Sequence, residues 1–103
     1  MSWVVSIEPE ARAELREAAR WYEAARPGLG VEFALEIDRA LDRVAEAAHT
    51  FPLFSGTEDV RRVLLDHFPY GLVFVADEGR VTVIAIAHGR RKPLYWAGRL
   101  KRP

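Results

Sequence analysis

Two stretches with the apolar spacing of helices, separated by a short break, constrain the fold of this chain more than any other feature. In the first stretch, apolar residues recur at steps of three and four between Ala11 and Ala25. In the second, the apolar residues are Phe33, Ile37, Leu41, Val44 and Ala48. Pro27 cannot continue a helix and Gly28 accepts any turn geometry, so these two residues form the break between the stretches. The pattern predicts a helical hairpin whose two apolar faces cover a common sheet.

Short apolar runs on either side of this hairpin predict β-strands. Residues 3–7 are β-branched and aromatic, and they end before Pro9, which suits the first turn of a helix. Three further runs follow the hairpin, at 60–66, 70–76 and 81–87, and the last is apolar enough to lie centrally in the sheet. The order βααβββ predicts a single α+β domain over residues 1–103. We expect the helical hairpin to pack on a mainly antiparallel sheet, with the first strand at or near an edge.

Composition limits the kinds of site that the protein can carry. The 103 residues include no cysteine, which excludes disulfides and thiolate metal sites and fits a reducing cytoplasm. The three histidines are far apart in the sequence, so we expect no metal site and no cofactor. The N-terminal residues lack the positive start and long apolar stretch of a signal peptide. The longest apolar run elsewhere, at 71–76, is far below the ~20 residues that cross a bilayer. We therefore expect a cytoplasmic protein with no membrane partner.

A net charge of zero hides an uneven distribution of charge along the chain. Residues 1–59 carry six arginines and twelve acids, a net charge of −6. Residues 60–103 carry nine basic residues and three acids, a net charge of +6. This split predicts a basic working face and an acidic back, although chance clustering in an arginine-rich chain gives the same distribution.

Five short segments in a fixed order extend over most of the chain. They are Glu10-Ala11 with its helix, Arg-Pro-Gly-Leu-Gly at 26–30, Val-Arg-Arg-Val-Leu-Leu at 60–65, Phe-Pro-Tyr-Gly-Leu-Val-Phe at 68–74 and Ile-Ala-His-Gly-Arg-Arg-Lys-Pro-Leu-Tyr-Trp at 86–96. Together these segments resemble the RelE/ParE superfamily, the toxins of bacterial type II toxin–antitoxin systems. The resemblance runs from about Val5 to Arg99.

The resemblance implies a toxin that inhibits growth in a plasmid stabilisation or addiction system. RelE-like members cleave messenger RNA in the ribosomal A site, whereas ParE-like members poison DNA gyrase and lack the basic residues of the nuclease. A cognate antitoxin neutralises either kind, so we expect a toxin–antitoxin hetero-oligomer. One alternative is a catalytically inactive toxin-like module that only binds an antitoxin or another protein. Another is a nucleic-acid-binding domain unrelated to toxins, which the charge split alone supports.

RNA cleavage through the 2′-hydroxyl needs a base, an acid and stabilisation of the phosphorane, and these services do not require a metal. Arg61, Arg62 and Arg91 are candidates to hold and neutralise phosphate, because guanidinium groups bind its oxygens in a fork. His88 is a candidate base or acid near neutral pH, and Tyr95 is a candidate stacking group or proton donor. The resemblance to RelE-like enzymes matches Arg61, Arg62, Arg91 and Tyr95 to their functional residues.

Structural roles compete with these catalytic ones. Arg61 and Arg62 alternate across a strand, so only one can face a given surface, and the other is expected to pair with a helix carboxylate such as Glu36 or Asp42. His88 is equally a candidate for a hydrogen-bonded residue at the end of a strand.

One position departs from the pattern of the nuclease. RelE-like enzymes place an arginine directly after the tyrosine of the middle strand, and here Gly71 follows Tyr70. Loss of one such phosphate contact costs roughly 3 kcal/mol of transition-state stabilisation, which counts against nuclease activity.

Further residues are candidates for binding rather than chemistry. Arg90, Lys92 and Trp96 are candidates to contact nucleic acid or the target. A solvated basic tail explains Arg90 and Lys92 equally well, and Trp96 after Pro93 is more often a packing residue that pins the tail to the sheet than a stacking platform. For the antitoxin, Trp21 and Phe54 are large apolar residues suited to an amphipathic helix.

Overall fold

The helical hairpin begins and ends where the sequence pattern predicts. A computed structural model describes residues 3–101, in which α1 is Pro9–Ala25 and α2 is Leu29–Ala47. Gly28 between them has φ 90°, a left-handed conformation that favours glycine. The two helices approach closely at Gly30, where a Cβ atom would lie 2.5 Å from the backbone oxygen of Ala19. The Glu23 carboxylate accepts hydrogen bonds from the N–H groups of Gly28 and Gly30, so α1 caps the start of α2.

Four strands form one sheet in the order β1-β4-β3-β2. The strands are β1 (Val4–Ile7), β2 (Val60–Leu64), β3 (Tyr70–Asp77) and β4 (Arg80–His88). β1 runs parallel to β4, and the other two pairs are antiparallel. The structure confirms the predicted α+β fold, with β1 at an edge and β4 inside the sheet. Within residues 3–101, no helix is long and apolar enough to span a membrane.

Both faces of the sheet carry a core. On the helix side, Phe33 and Ile37 of α2 pack with Leu72, Phe74 and other buried residues. On the opposite face, Val60, Val73, Ile84 and Ala85 pack against Trp96 of the C-terminal segment. That segment ends in the short 3-10 helix Ala97–Lys101. The residues after β4 therefore form a second layer over the sheet, and Trp96 has the packing role that the sequence offered as the alternative to stacking.

A β-bulge in β4 decides which side chains reach each face. Val73 pairs with Ala85 and Phe74 pairs with Val83, so Ile84 has no partner in β3. Before the bulge Val83 belongs to the helix-side core, and after it Ala85 belongs to the opposite core. One extra residue thus reverses the alternation of the strand. Ile86 consequently returns to the helix side, and His88 follows it there, beside Tyr70.

Candidate functional site

Two hollows meet at the end of the sheet where β3 begins and β4 ends. The first, which we name the tail cleft, has a volume of about 290 Å³ and lies between β2, β3 and the C-terminal segment. Its lining includes Phe54, Arg62, Leu64, Tyr70, His88, Arg91, Lys92, Leu94 and Tyr95. The second, which we name the α1 groove, has a volume of about 590 Å³ and is lined by Glu14, Glu17, Trp21, Tyr22, Tyr70, Ile86, His88 and Arg91, among others. The side chains of Tyr70, His88 and Arg91 border both hollows.

The tail cleft combines positive charge with exposed leucines. Arg62, Arg91 and Lys92 line it, and no Asp or Glu is among its lining residues. Leu64 on β2 is 59% exposed and Leu94 is 39% exposed. Leu94 also has φ 64°, a left-handed conformation that is rare for leucine. The cleft is therefore suited to an acidic or anionic partner that also offers apolar surface.

The neighbouring arginines of β2 have different roles. The Arg61 guanidinium donates a hydrogen bond to the Phe51 carbonyl at 2.7 Å and is partly buried. The Arg62 guanidinium lies 4.9 Å from the centre of the Phe54 ring, on the side of the tail cleft. The expected pairing of one of them with Glu36 is wrong, because the Glu36 carboxylate accepts hydrogen bonds from the N–H and the ring of His67. Arg62 alone of the pair borders the tail cleft.

His88 is held in an orientation that limits its chemistry. Its Nδ1 accepts a hydrogen bond from the Arg90 N–H at 2.9 Å, and its ring meets Tyr70 edge to face. A neutral imidazole that accepts at Nδ1 carries its proton on Nε2. His88 in this arrangement offers the two hollows a hydrogen-bond donor, not a base.

Tyr95 is also committed to contacts within the protein. Its hydroxyl donates a hydrogen bond to Glu14 Oε2 at 2.7 Å. Burial, and then this hydrogen bond, raise the pKa of Tyr95 well above its ordinary value. The Arg91 guanidinium lies 3.8 Å from the ring centre and that of Arg99 lies 5.3 Å from it. In this position Tyr95 is a platform for arginines rather than for a nucleic-acid base.

The centre of this network is Glu14, which sequence reasoning missed. Its carboxylate accepts hydrogen bonds from the Ile86 N–H, the Tyr95 hydroxyl and both terminal nitrogens of Arg99. Arg99 also donates to the Ile84 carbonyl at 2.9 Å. The side chains of Glu14 and Arg99 are each only 16% exposed.

The side chains of Glu14 and Arg99 form hydrogen bonds with backbone groups of β4 that have no strand beside them. The last pair between β1 and β4 is Ile7 with Val83, and the backbone groups bound by Glu14 and Arg99 come directly after it. One signal in the sequence points to this role. Glu14 stands three residues after the buried Ala11 and four before the buried Ala18, the spacing of the apolar face of α1.

Comparison with known proteins identifies the family. A family model described as "ParE toxin of type II toxin-antitoxin system, parDE" matches residues 5–93 of the chain. The chain belongs to the ParE toxin family. The predicted membership of the RelE/ParE superfamily is confirmed. No curated protein sequence matches this ParE-family chain.

Two solved structures share the fold of this ParE-family chain. The chromosomal ParDE system from P. aeruginosa matches with a TM-score of 0.75 and 16% identity, covering 84% of this chain and 96% of that chain. A double arginine-to-alanine mutant of E. coli toxin RelE in the free state matches with a TM-score of 0.73 and 19% identity, covering 97% and 99%. Identities this low establish a common fold and nothing finer.

The remaining candidate residues of this ParE-family chain are distributed over both faces of the sheet. Trp96 is 2% exposed and packs edge to face on Phe54, so its ring has no free face for a base, contrary to the expected stacking role. Trp21 is 68% exposed and lines the α1 groove, whereas Phe54 lines the tail cleft. Arg90 is exposed near the cleft. Among residues 3–101, no three His, Cys, Asp or Glu side chains are grouped to hold a metal ion.

Proposed function

We propose that this ParE-family toxin inhibits growth by binding DNA gyrase through the tail cleft, and that a cognate antitoxin neutralises it in a hetero-oligomer. The observation that carries the proposal is the state of the candidate nuclease residues. Each of Arg61, His88 and Tyr95 is engaged in a contact within the protein that opposes its part in RNA cleavage.

The engagement of His88, the candidate base, is the strongest argument against cleavage. Attack by a 2′-hydroxyl requires a group that removes its proton, and the Nδ1 lone pair of His88 already accepts the Arg90 N–H. The Tyr95 hydroxyl donates to Glu14, and its raised pKa makes it a poor acid. Gly71 stands where RelE-like enzymes have an arginine, so this chain also lacks the phosphate contact of that arginine.

The composition of the tail cleft supports a protein target. Exposed apolar surface bordered by polar groups marks interaction sites, and arginine is enriched among the interface residues that contribute most of the affinity. Leu64 and Leu94 are large exposed apolar residues of this cleft, and Arg62 and Arg91 line it with them. The left-handed backbone of Leu94 costs about 1–2 kcal/mol, a strain of the kind that concentrates at functional sites.

The α1 groove is the surface that we assign to the antitoxin. The exposed indole of Trp21 lies there beside Tyr22 and Tyr70, an aromatic surface able to receive the apolar face of a partner helix. Phe54 is on the opposite face of the sheet. His88 and Arg91 border both hollows, so an antitoxin that contacts both residues around this end of the sheet passes over them.

Messenger RNA cleavage is the second candidate, favoured by the meeting of Arg62, His88 and Arg91 at one cleft. Proton transfer would then require His88 to break its hydrogen bond with the Arg90 amide when RNA binds. A binding module without toxicity, the remaining alternative, predicts a tight antitoxin complex and normal growth.

Induced expression without the antitoxin separates these functions. We expect growth arrest with intact messages and a DNA-damage response, and inhibition of gyrase supercoiling by the purified toxin. Arg91→Ala should weaken both effects about tenfold, the loss typical of one charged interface contact, whereas Arg80→Ala, at the other end of the sheet, should leave them unchanged. Arrest with cleaved messages and uninhibited gyrase would establish the nuclease instead, and normal growth would establish the binding module.

A further inference from the structure

The Glu14 carboxylate connects α1 with the end of β4 and with the C-terminal segment. These contacts lie close to Arg91, which borders both hollows. Glu14 binds the end of β4 through the Ile86 N–H, and it binds the C-terminal segment through Tyr95 and Arg99. Arg91 does not touch Glu14 in this network. Its guanidinium lies over the Tyr95 ring, whose hydroxyl Glu14 holds.

We propose that Glu14 is a positioning residue for target binding, which holds the Arg91 guanidinium at the junction of the tail cleft and the α1 groove by fixing the Tyr95 ring. The inference rests on the proposed function, in which Arg91 contacts the target. Glu14 itself acts through Tyr95 and Arg99, not on the target.

Geometry supports an effect transmitted through the tyrosine. A tyrosine ring has two soft torsions, and the hydroxyl bond to Glu14 at 2.7 Å restrains both. The Arg91 guanidinium lies only 3.8 Å from the ring centre, so a rotation of the ring removes the surface on which it rests. An arginine side chain freed in this way samples many rotamers, and binding must then restrict it again.

Charge supports the same conclusion. The guanidinium groups of Arg91 and Arg99 both approach the Tyr95 ring, so two positive charges share one small region. The Glu14 carboxylate lies between α1 and this region and pairs with Arg99 at 2.9 Å in a partly buried setting. Removal of its charge takes from Arg99 the carboxylate that it contacts at 2.9 Å, while the hydrogen bond to the Ile84 carbonyl and the charge of Glu10 remain. The stronger repulsion between the two arginines then displaces the more exposed one, which is Arg91.

Nuclear magnetic resonance of the purified full chain tests the positioning directly. Aromatic ring currents should shift the Arg91 side-chain proton resonances upfield in the wild type, because the group lies over the Tyr95 ring. In Glu14→Gln these resonances should move towards their free positions, while Glu46→Gln, which changes an exposed carboxylate of α2, should leave them in place. An unchanged Arg91 shift in a folded Glu14→Gln protein would overturn the proposal. If that variant does not fold, Tyr95→Phe, which removes only the hydroxyl, should release Arg91, and an unchanged shift there would overturn it equally.

Gyrase inhibition by the same variants distinguishes positioning from a general loss of stability. Glu14→Gln should raise the toxin concentration for half-inhibition about tenfold, and in an Arg91→Ala background it should cause no further rise. Equal rises in both backgrounds would mean that Glu14 acts independently of Arg91 and would contradict the inference. Failure of the wild type to inhibit gyrase would refute the proposed function alone, since the Arg91 resonances report on positioning without any target.

Discussion

Two glutamates on the helices, Glu14 and Glu36, fasten segments that lie far from them in the sequence. Glu36 accepts the His67 N–H at 2.8 Å, and Glu14 accepts the Tyr95 hydroxyl, across separations of 31 and 81 residues. Charged residues in amphipathic helices are usually solvated, and the one local signal here is the position of Glu14 among the apolar residues of α1. Their roles follow from partners that only the folded chain brings to them.

The pH dependence of stability should report the Glu36 contact. Burial by itself raises the pKa of Glu36, but hydrogen bonds from the N–H and ring of His67 and from the Asp66 backbone together lower it below its ordinary value. A carboxyl with a lowered pKa stabilises the fold above its unfolded pKa, and the contribution is lost as pH falls through the folded pKa.

We therefore expect Glu36→Gln to reduce the free energy of unfolding at pH 7 by about 1.5–3 kcal/mol, the contribution of hydrogen bonds to a charged group. As the pH falls from about 5 to about 3, the wild type should lose this extra stability, and the difference in free energy of unfolding between the two proteins should narrow. Urea unfolding of both proteins across this range measures it. A difference that is the same at both ends would show that the carboxylate charge contributes nothing.

At the scale of elements, the C-terminal segment shows two kinds of residue that the sequence left open. Its basic residues suggested a solvated tail and its aromatic residues a tail pinned to the sheet, and Trp96 is among the largest buried side chains and closes the core on the second face of the sheet. The two tryptophans with proposed binding roles thus have opposite environments. Trp96 contributes to stability, and Trp21 presents its ring to solvent in the α1 groove.

Alanine substitutions of these two tryptophans should separate folding from partner binding. Trp96→Ala should lower the free energy of unfolding by about 3–5 kcal/mol, because it empties a buried site, whereas Trp21→Ala should change it by less than about 0.5 kcal/mol. Trp21→Ala should instead weaken antitoxin binding by roughly 2 kcal/mol or more, as expected for an exposed aromatic anchor. Denaturant midpoints and calorimetric titration with the antitoxin give the two quantities. Undiminished antitoxin affinity in Trp21→Ala would remove the α1 groove as the docking surface.

At the scale of the whole molecule, the acidic and basic parts of the sequence lie in different regions of the folded protein. The acids concentrate on the helical side, and Arg62, Arg91 and Lys92 meet at the tail cleft although they come from β2 and the C-terminal segment. A molecule with zero net charge attracts its partners through such local fields, which act over about 8–10 Å at physiological salt.

Toxin binding to gyrase should consequently weaken with salt. Raising ionic strength from ~50 mM to ~300 mM should increase the dissociation constant roughly tenfold for the wild type. Arg62→Ala and Arg91→Ala should reduce this dependence, and Arg80→Ala, outside the cleft, should follow the wild type. Surface plasmon resonance at several salt concentrations measures the slopes. Parallel slopes for all four proteins would exclude the tail cleft as the electrostatic contact.

The sequence by itself determined the elements of this protein, because helix spacing, strand composition and turn residues are local properties. The hairpin around Gly28, the βααβββ order and the superfamily followed from it, as did the candidate basic residues. The tertiary structure alone decided which of these residues meet. The bulge at Ile84 placed His88 on the helix side, the end of β1 at Ile7 left backbone groups for Glu14 to bind, and the C-terminal segment covered the second face. Each outcome depends on hydrogen bonds and packing between residues distant in the chain, which no local pattern encodes.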